Sequence, residues 1–221
     1  MQSQNTVAFL DSIPLFSGLD AGVLERLCAC SKLAYYASGE TLYYEKEEDP
    51  YLYFIVRGGV KFYKVDRYDN EIFLYHLGSN TLVFDVAKIC QDHCFICYAN
   101  AEFTQDTELL AFESVGFRDA LRATPSLMQR ILKESFRAIS QLQCIINRDV
   151  VFDGSAKVAH MIVSDLEHFN ALRKHEIAYM LHIQPETLSR ILKKLERNGL
   201  IEIEKNCVII RDEIALREIY E

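Results

Sequence analysis

No run of 18 apolar residues occurs in the 221-residue sequence, so nothing in it reads as a transmembrane helix. The stretch MQSQNTVAFLDSIPLF lacks a basic region ahead of an apolar core. No secretion signal is therefore expected, and the expected location is the cytoplasm. Positive charge is scarce too: 24 Lys and Arg against 32 Asp and Glu leave a net charge of −8. Such a chain binds nucleic acid only through locally concentrated positive surface, and then with strong salt dependence. Nucleophile elbow, P-loop and HExxH motifs are all missing, so an enzyme is not expected, and a peroxidatic Cys97 would have to show turnover with peroxide. Seven cysteines, an odd number, argue against a disulfide framework in this setting. Reduced, metal-bound and redox-active thiols remain open.

Half of the residues are apolar and a quarter charged, the balance of a globular protein, and the length suits two domains. The most informative stretch is 172–200, LRKHEIAYMLHIQPETLSRILKKLERNGL. Ile177, Met180 and Leu181 line one helical face, and Leu188, Ile191, Leu192 and Leu195 line another. Pro185 suits the first turn of the second helix, and Gly199 suits a left-handed cap at its end. This is the pattern of a helix-turn-helix, whose second helix normally enters the DNA major groove. Glu186, Ser189 and Arg190 fall near the start of that helix, away from its apolar face. A carboxylate accepts from cytosine N4, a guanidinium grips guanine O6 and N7, and a hydroxyl meets either kind of partner. Six Lys or Arg, Lys193 among them, face three Glu over residues 173–199, so the scarce positive charge is gathered here. An ordinary solvated helix face is the bland alternative.

Residues 6–36 read as helical, broken at Pro14 and Gly18. Cys28 and Cys30 fall in the second of these helices, two apart and so on different faces, which favours packing over a shared metal ion. From residue 37 to 113, runs rich in Tyr, Phe, Val and Ile at 41–44, 51–56, 60–65, 72–77, 95–101 and 108–112 alternate with turn residues, as in a small antiparallel roll. Thr124-Pro125 is expected to cap a long helix reaching about residue 149. Along it Met128, Ile131, Ser135, Ala138, Leu142 and Ile145 form a coiled-coil-like seam. A second stripe, Leu132, Phe136, Ile139 and Ile146, is expected against the chain's own roll. Residues 151–154 read as a hinge. One helix over 157–168, a wing of strands at 201–203 and 207–210 with Cys207 packed in it, and a short helical tail complete the chain. The domain boundaries are placed at 1–123, 124–150 and 151–221.

Gly39-Glu40-Thr41-Leu42 and the string Leu52–Lys61, LYFIVRGGVK, resemble the β-roll signature of the CRP/FNR transcription regulators. The order of parts, roll, long helix and winged helix-turn-helix, is similar over about residues 8–211. Cyclic-nucleotide domains of channels and kinases share the roll string but not the C-terminal motif. The implied fold is α+β: an N-terminal antiparallel β-roll like a cyclic-nucleotide-binding domain, a long dimerisation helix, and a C-terminal winged helix-turn-helix. The implied partners are double-stranded DNA with a palindromic promoter site, a second copy of the chain in a parallel dimer, and RNA polymerase. Glu186, Ser189 and Arg190 match the E-x-x-S-R pattern of the FNR subgroup. By that resemblance Glu186 and Arg190 read a C·G pair and Ser189 a neighbouring T in inverted TTGAT-like half-sites, while Gln184 and Thr187 touch phosphate. His182 departs from the family, standing where relatives carry a turn glycine. A competing reading keeps the sensor roll but makes the helix-turn-helix a protein-interaction module; a gel shift on an inverted TTGAT repeat separates the two.

Relatives that bind cyclic nucleotides hold the phosphate with a Gly-Glu-Leu turn and, some ten residues on, an Arg followed by Ser or Thr. Here the matching stretch, Phe84-Asp85-Val86-Ala87-Lys88-Ile89-Cys90, has no glycine, and no Lys or Arg lies between Lys88 and Arg118. Without a fixed positive charge the cyclic phosphate is poorly held, so cAMP is not the expected effector. In its place stand Cys90, His93, Cys94 and Cys97. Three readings remain: packed thiols, a haem or iron–sulfur ligand set as in gas-sensing relatives, or a thiol switch. Were 94–101 a single strand, Cys94 and Cys97 would point to opposite faces. His76, His160, His168 and His175 are scattered and receive no role.

Overall fold

The computed structural model describes residues 2–83, 95–146, 150–204 and 207–220. The chain divides into two compact units, Met1–Ser140 and Gln141–Glu221. In the first, α1 (Gln2–Ser12) and α2 (Ala21–Ala29) precede the strands. One antiparallel sheet runs β1 (Ser31–Tyr36), β10 (Thr107–Glu113), β4 (Tyr51–Arg57), β7 (Thr81–Val83). The other runs β2 (Thr41–Tyr43), β9 (Asn100–Phe103), β5 (Gly59–Val65), β6 (Glu71–Gly78), and β3 (Glu48–Asp49) pairs with β8 (Phe95–Ile96).

The run LYFIV is apolar at every position because β4 is buried on both faces. Leu52 and Phe54 meet the helices, together with Leu110 and Phe112 of β10. Tyr53 and Ile55 point the other way, into a roll interior shared with Phe62, Ala101, Phe103 and Leu109. Alternation of side chains along each strand divides the two cores. Gly58 is required in the turn to β5: its φ is +106°, and a Cβ there would collide with Thr107.

Two expectations fail here. Residues 31–36 are not helical but form β1, in register with β10 from Ser31↔Phe112 to Tyr36↔Thr107. That ladder prevails because α2 closes at Cys30, whose backbone carbonyl accepts from Glu113 N (2.8 Å). Residues 95–101 are not one strand either: β8 ends at Ile96 and β9 begins at Asn100. Between them Cys97 is pinned by its own backbone, its N–H donating to the Glu47 carbonyl and its carbonyl accepting from Lys46 N, both at 2.8 Å.

After α3 (Ser114–Ala123) comes the long α4 (Pro125–Ile146). The Thr124 hydroxyl makes no capping bond among the described residues; its carbonyl instead accepts from Met128 N at 3.1 Å. Leu127 and Ile131 are buried in the helix-side core. This corrects the expected seam at Ile131, which is buried in the chain's own core, whereas Ser135, Ala138 and Ile145 are half-buried. It also corrects the second stripe: Leu132 (53% exposed), Phe136 (60%), Ile139 (50%) and Ile146 (58%) point to solvent, not to the roll. Met128 and Leu142 share that face, so the outward apolar row runs Met128, Leu132, Ser135, Ile139, Leu142, Ile146. Its alternating steps of four and three are those of a coiled coil. Of the six expected seam positions Met128, Ser135 and Leu142 lie in this row, while Leu132, Ile139 and Ile146 replace Ile131, Ala138 and Ile145, because Leu127 and Ile131 take the roll-side contact.

The second unit contains α5 (Gly154–Ser164), α6 (Leu166–Ala171), α7 (Lys174–Met180), α8 (Pro185–Arg197), the ribbon β11 (Ile201–Glu204) and β12 (Cys207–Ile210), and α9 (Glu213–Arg217). Its core gathers Val158, Ile162, Phe169, Ile177, Leu188, Leu192 and Leu216. The single helix expected over 157–168 is divided at Asp165, which leaves helical geometry (φ −157°, ψ 78°) and caps α6 by accepting from His168 N at 3.0 Å. Cys207 is exposed, not packed. The carboxamide of Asn170 holds β12 instead, bonding both the N–H and the carbonyl of Val208 (2.7 and 2.9 Å).

Candidate nucleic-acid interface

The turn between α7 and α8 builds the site. Glu176 accepts from Arg173 N (2.6 Å) and closes the start of α7. At its end Leu181 reaches φ −93° and ψ 0°, and His182 turns left-handed at φ 53°. Histidine therefore fills the place of the usual glycine; a left-handed conformation is uncommon but accessible for it. The bond from Ile183 N to the Ala178 carbonyl (3.0 Å) locks the reversal, and Gln184 (φ −77°, ψ 145°) leads into Pro185 at the first helical position.

Helix α8 then sorts its residues by face. Leu188, Ile191, Leu192 and Leu195 are buried, each worth about 1.5–3 kcal/mol of transfer free energy for a fully buried side chain. Glu186, Thr187, Arg190, Lys193 and Lys194 are exposed and Ser189 half-exposed, with Gln184 exposed just ahead. Arg190 makes no hydrogen bond or ion pair among the described residues. Its donor fork is left for an outside acceptor, and the first-turn N–H groups beside Gln184 and Thr187 are similarly unused by the helix. Gly199 (φ +75°) ends the helix, and Glu196 accepts from Ile203 N (3.2 Å), fixing β11 to the same element.

Cys90, His93 and Cys94 lie outside the described residues. Cys97 is buried (2% exposed), near the Tyr53 hydroxyl. Tyr53 donates to the buried Asp49 (3.2 Å), and burial and that carboxylate push its hydroxyl well above the ordinary phenol range. Among the described residues no three His, Cys, Asp or Glu gather closely enough to hold a metal ion. Cys28 and Cys30 pack against the helix-side core, as expected. Burial raises both thiols, reinforced by Glu25 at Cys28, and Cys30 reaches about 11. Neither is a ready thiolate at neutral pH.

Residues 33–124 match the cyclic nucleotide-binding domain family, and residues 156–219 the Crp-like helix-turn-helix domain family. The chain is 22% identical over 210 residues to the cyclic AMP receptor protein of Thermus thermophilus, covering 93% of this chain and 96% of that one. In fold it is similar to CooA from Carboxydothermus hydrogenoformans (TM-score 0.71, 21% identity, 90% of either chain). It is likewise similar to FixK2 from Bradyrhizobium japonicum (TM-score 0.69, 16% identity, 86% of this chain and 98% of that one).

Proposed function

The chain belongs to the CRP/FNR family of transcription regulators, and on that premise we propose that it binds promoter DNA as a homodimer and reads inverted TTGAT-like half-sites through Glu186, Ser189 and Arg190. The observation that carries the reading is the division of α8: its apolar side is spent on its own core while the base-reading side chains stand exposed within one turn. Gln184, Thr187 and Lys193 flank them as phosphate contacts. The outward row on α4 supports the dimer, whose two-fold symmetry matches an inverted repeat. Sedimentation with a labelled duplex tests both parts. One dimer per inverted repeat is expected; a monomer bound with equal affinity to a single half-site contradicts the proposal.

The signal is proposed to be redox or a gas such as oxygen or nitric oxide, not cAMP. Support comes from the missing Lys and Arg between positions 88 and 118, the apolar and aromatic lining of the described roll interior, and the density of Cys and His at 90–97. The mechanism is a population shift, in which signal and DNA favour the same arrangement of the units. An absorption spectrum of protein purified without oxygen, with iron and zinc analysis, checks this. A Soret or cluster band, lost in variants of Cys90, His93, Cys94 or Cys97, is expected for a bound cofactor. Tight cAMP binding with a featureless spectrum overturns the proposal.

A further inference from the structure

Residues 150–153 lead into α5, and their burial changes abruptly. Val150 and Val151 are 78% and 70% exposed, so neither is packed. Phe152 is the first side chain after them that is held. Its ring lies 5.5 Å from that of His160 on α5 (interplanar 57°) and 5.8 Å from that of Tyr220 beyond α9 (44°). His160 and Tyr220 meet edge to face at 5.1 Å and 80°, which closes a three-ring cluster. Such tilted and edge-on pairings are the favoured aromatic geometries. Each member has an independent anchor. Asp153 caps α5 by accepting from Ala156 N (2.8 Å), His160 sits in mid-helix with Nε2 3.4 Å from the Ser164 hydroxyl, and Tyr220 packs on the core beside fully buried Leu216.

We infer that Phe152, His160 and Tyr220 form an aromatic clasp that fixes where the chain joins the DNA-binding unit, making them positioning residues for recognition of a two-half-site operator. A dimer binds an inverted repeat at full strength only when both recognition helices are presented one helical turn of DNA apart. Val150 and Val151 stand exposed ahead of α5, so among residues 150–153 Phe152 is the first side chain fixed to the second unit's own elements. Loosening the clasp widens the spread of orientations and lowers the fraction of dimers ready to engage both half-sites, and apparent affinity falls with that fraction. One half-site needs no such alignment.

The inference rests on the DNA-reading proposal above. Its test compares full-length wild type, Tyr220→Ala and Tyr220→Phe on a duplex with the inverted TTGAT repeat and on a duplex with one half-site. Tyr220→Ala is expected to weaken the inverted repeat about tenfold, the scale of one to two aromatic contacts, leave the single half-site unchanged, and be rescued by Tyr220→Phe. Equal losses on both duplexes, or none on either, overturn the clasp. A second arm is independent of DNA. The chain contains no tryptophan, so Phe152→Trp introduces the only indole. Its emission is expected to shift to the red when Tyr220→Ala is added, and an emission indifferent to residue 220 overturns the clasp. Wild type that does not prefer the inverted repeat instead sinks the DNA-reading proposal, and the emission arm still decides the clasp.

Discussion

Helices α4 and α8 are both amphipathic, yet they turn opposite sides to the outside. Helix α8 buries its leucines, with Leu188 at 0%, Leu192 at 4% and Leu195 at 2% exposure, and presents Glu186, Ser189 and Arg190. Helix α4 buries only Leu127 and Ile131 and presents leucine, isoleucine and phenylalanine. The side left outside is the side that the proposed partner would meet. A charged and hydroxyl-bearing face suits base edges and phosphates, whereas a heptad-spaced apolar face suits a second copy of itself.

The largest effect is expected from the outward row of α4. Ile139→Asp places two unpaired carboxylates opposite each other in a dimer, and a buried uncompensated charge costs about 3–5 kcal/mol. Sedimentation is expected to show monomer at concentrations where wild type is dimeric, and inverted-repeat binding should collapse with it. Leu192→Ala attacks the buried side of α8 and is expected to remove about 2–5 kcal/mol from the second unit, read as an earlier thermal transition while the dimer persists. Arg190→Ala touches only the presented side. It is expected to lose roughly 1–3 kcal/mol per half-site in specific binding, with dimer and thermal stability unchanged. The smallest effect sharpens the contrast: raising salt should barely alter dimer dissociation, since the row from Met128 to Ile146 carries no charge and Ser135 satisfies its hydroxyl on its own helix (2.9 Å to the Ile131 carbonyl). The same change weakens DNA binding steeply, because each phosphate contact releases counterions.

The helix-turn-helix was legible because its signals are local: Pro185 at a first turn, Gly199 at an end, and apolar spacing within each short helix. The roll was legible in outline for the same reason, since turn residues separate runs of aromatic and β-branched side chains. What escaped was decided at a distance. Strand β1 follows a helix directly and owes its form to pairing with β10, from Ser31↔Phe112 to Tyr36↔Thr107, far along the chain. The break at Cys97 comes from backbone bonds to residues 46 and 47. On α4 two stripes of apolar residues satisfy helical spacing equally well, and only the contact of Leu127 and Ile131 with the core decides which faces out. The clasp was invisible because it joins positions 152, 160 and 220, none of which carries a motif.

Whether the exposed side of α8 reads sequence is decided by competition between duplexes. Wild-type protein on a labelled inverted TTGAT repeat is challenged with unlabelled repeat or with a scrambled duplex of the same length and composition, at one salt concentration. The scrambled duplex is expected to compete about a thousandfold more weakly or worse, the lower end of ordinary specificity ratios of about 10³ or more. Equal competition by both duplexes would contradict sequence reading by α8.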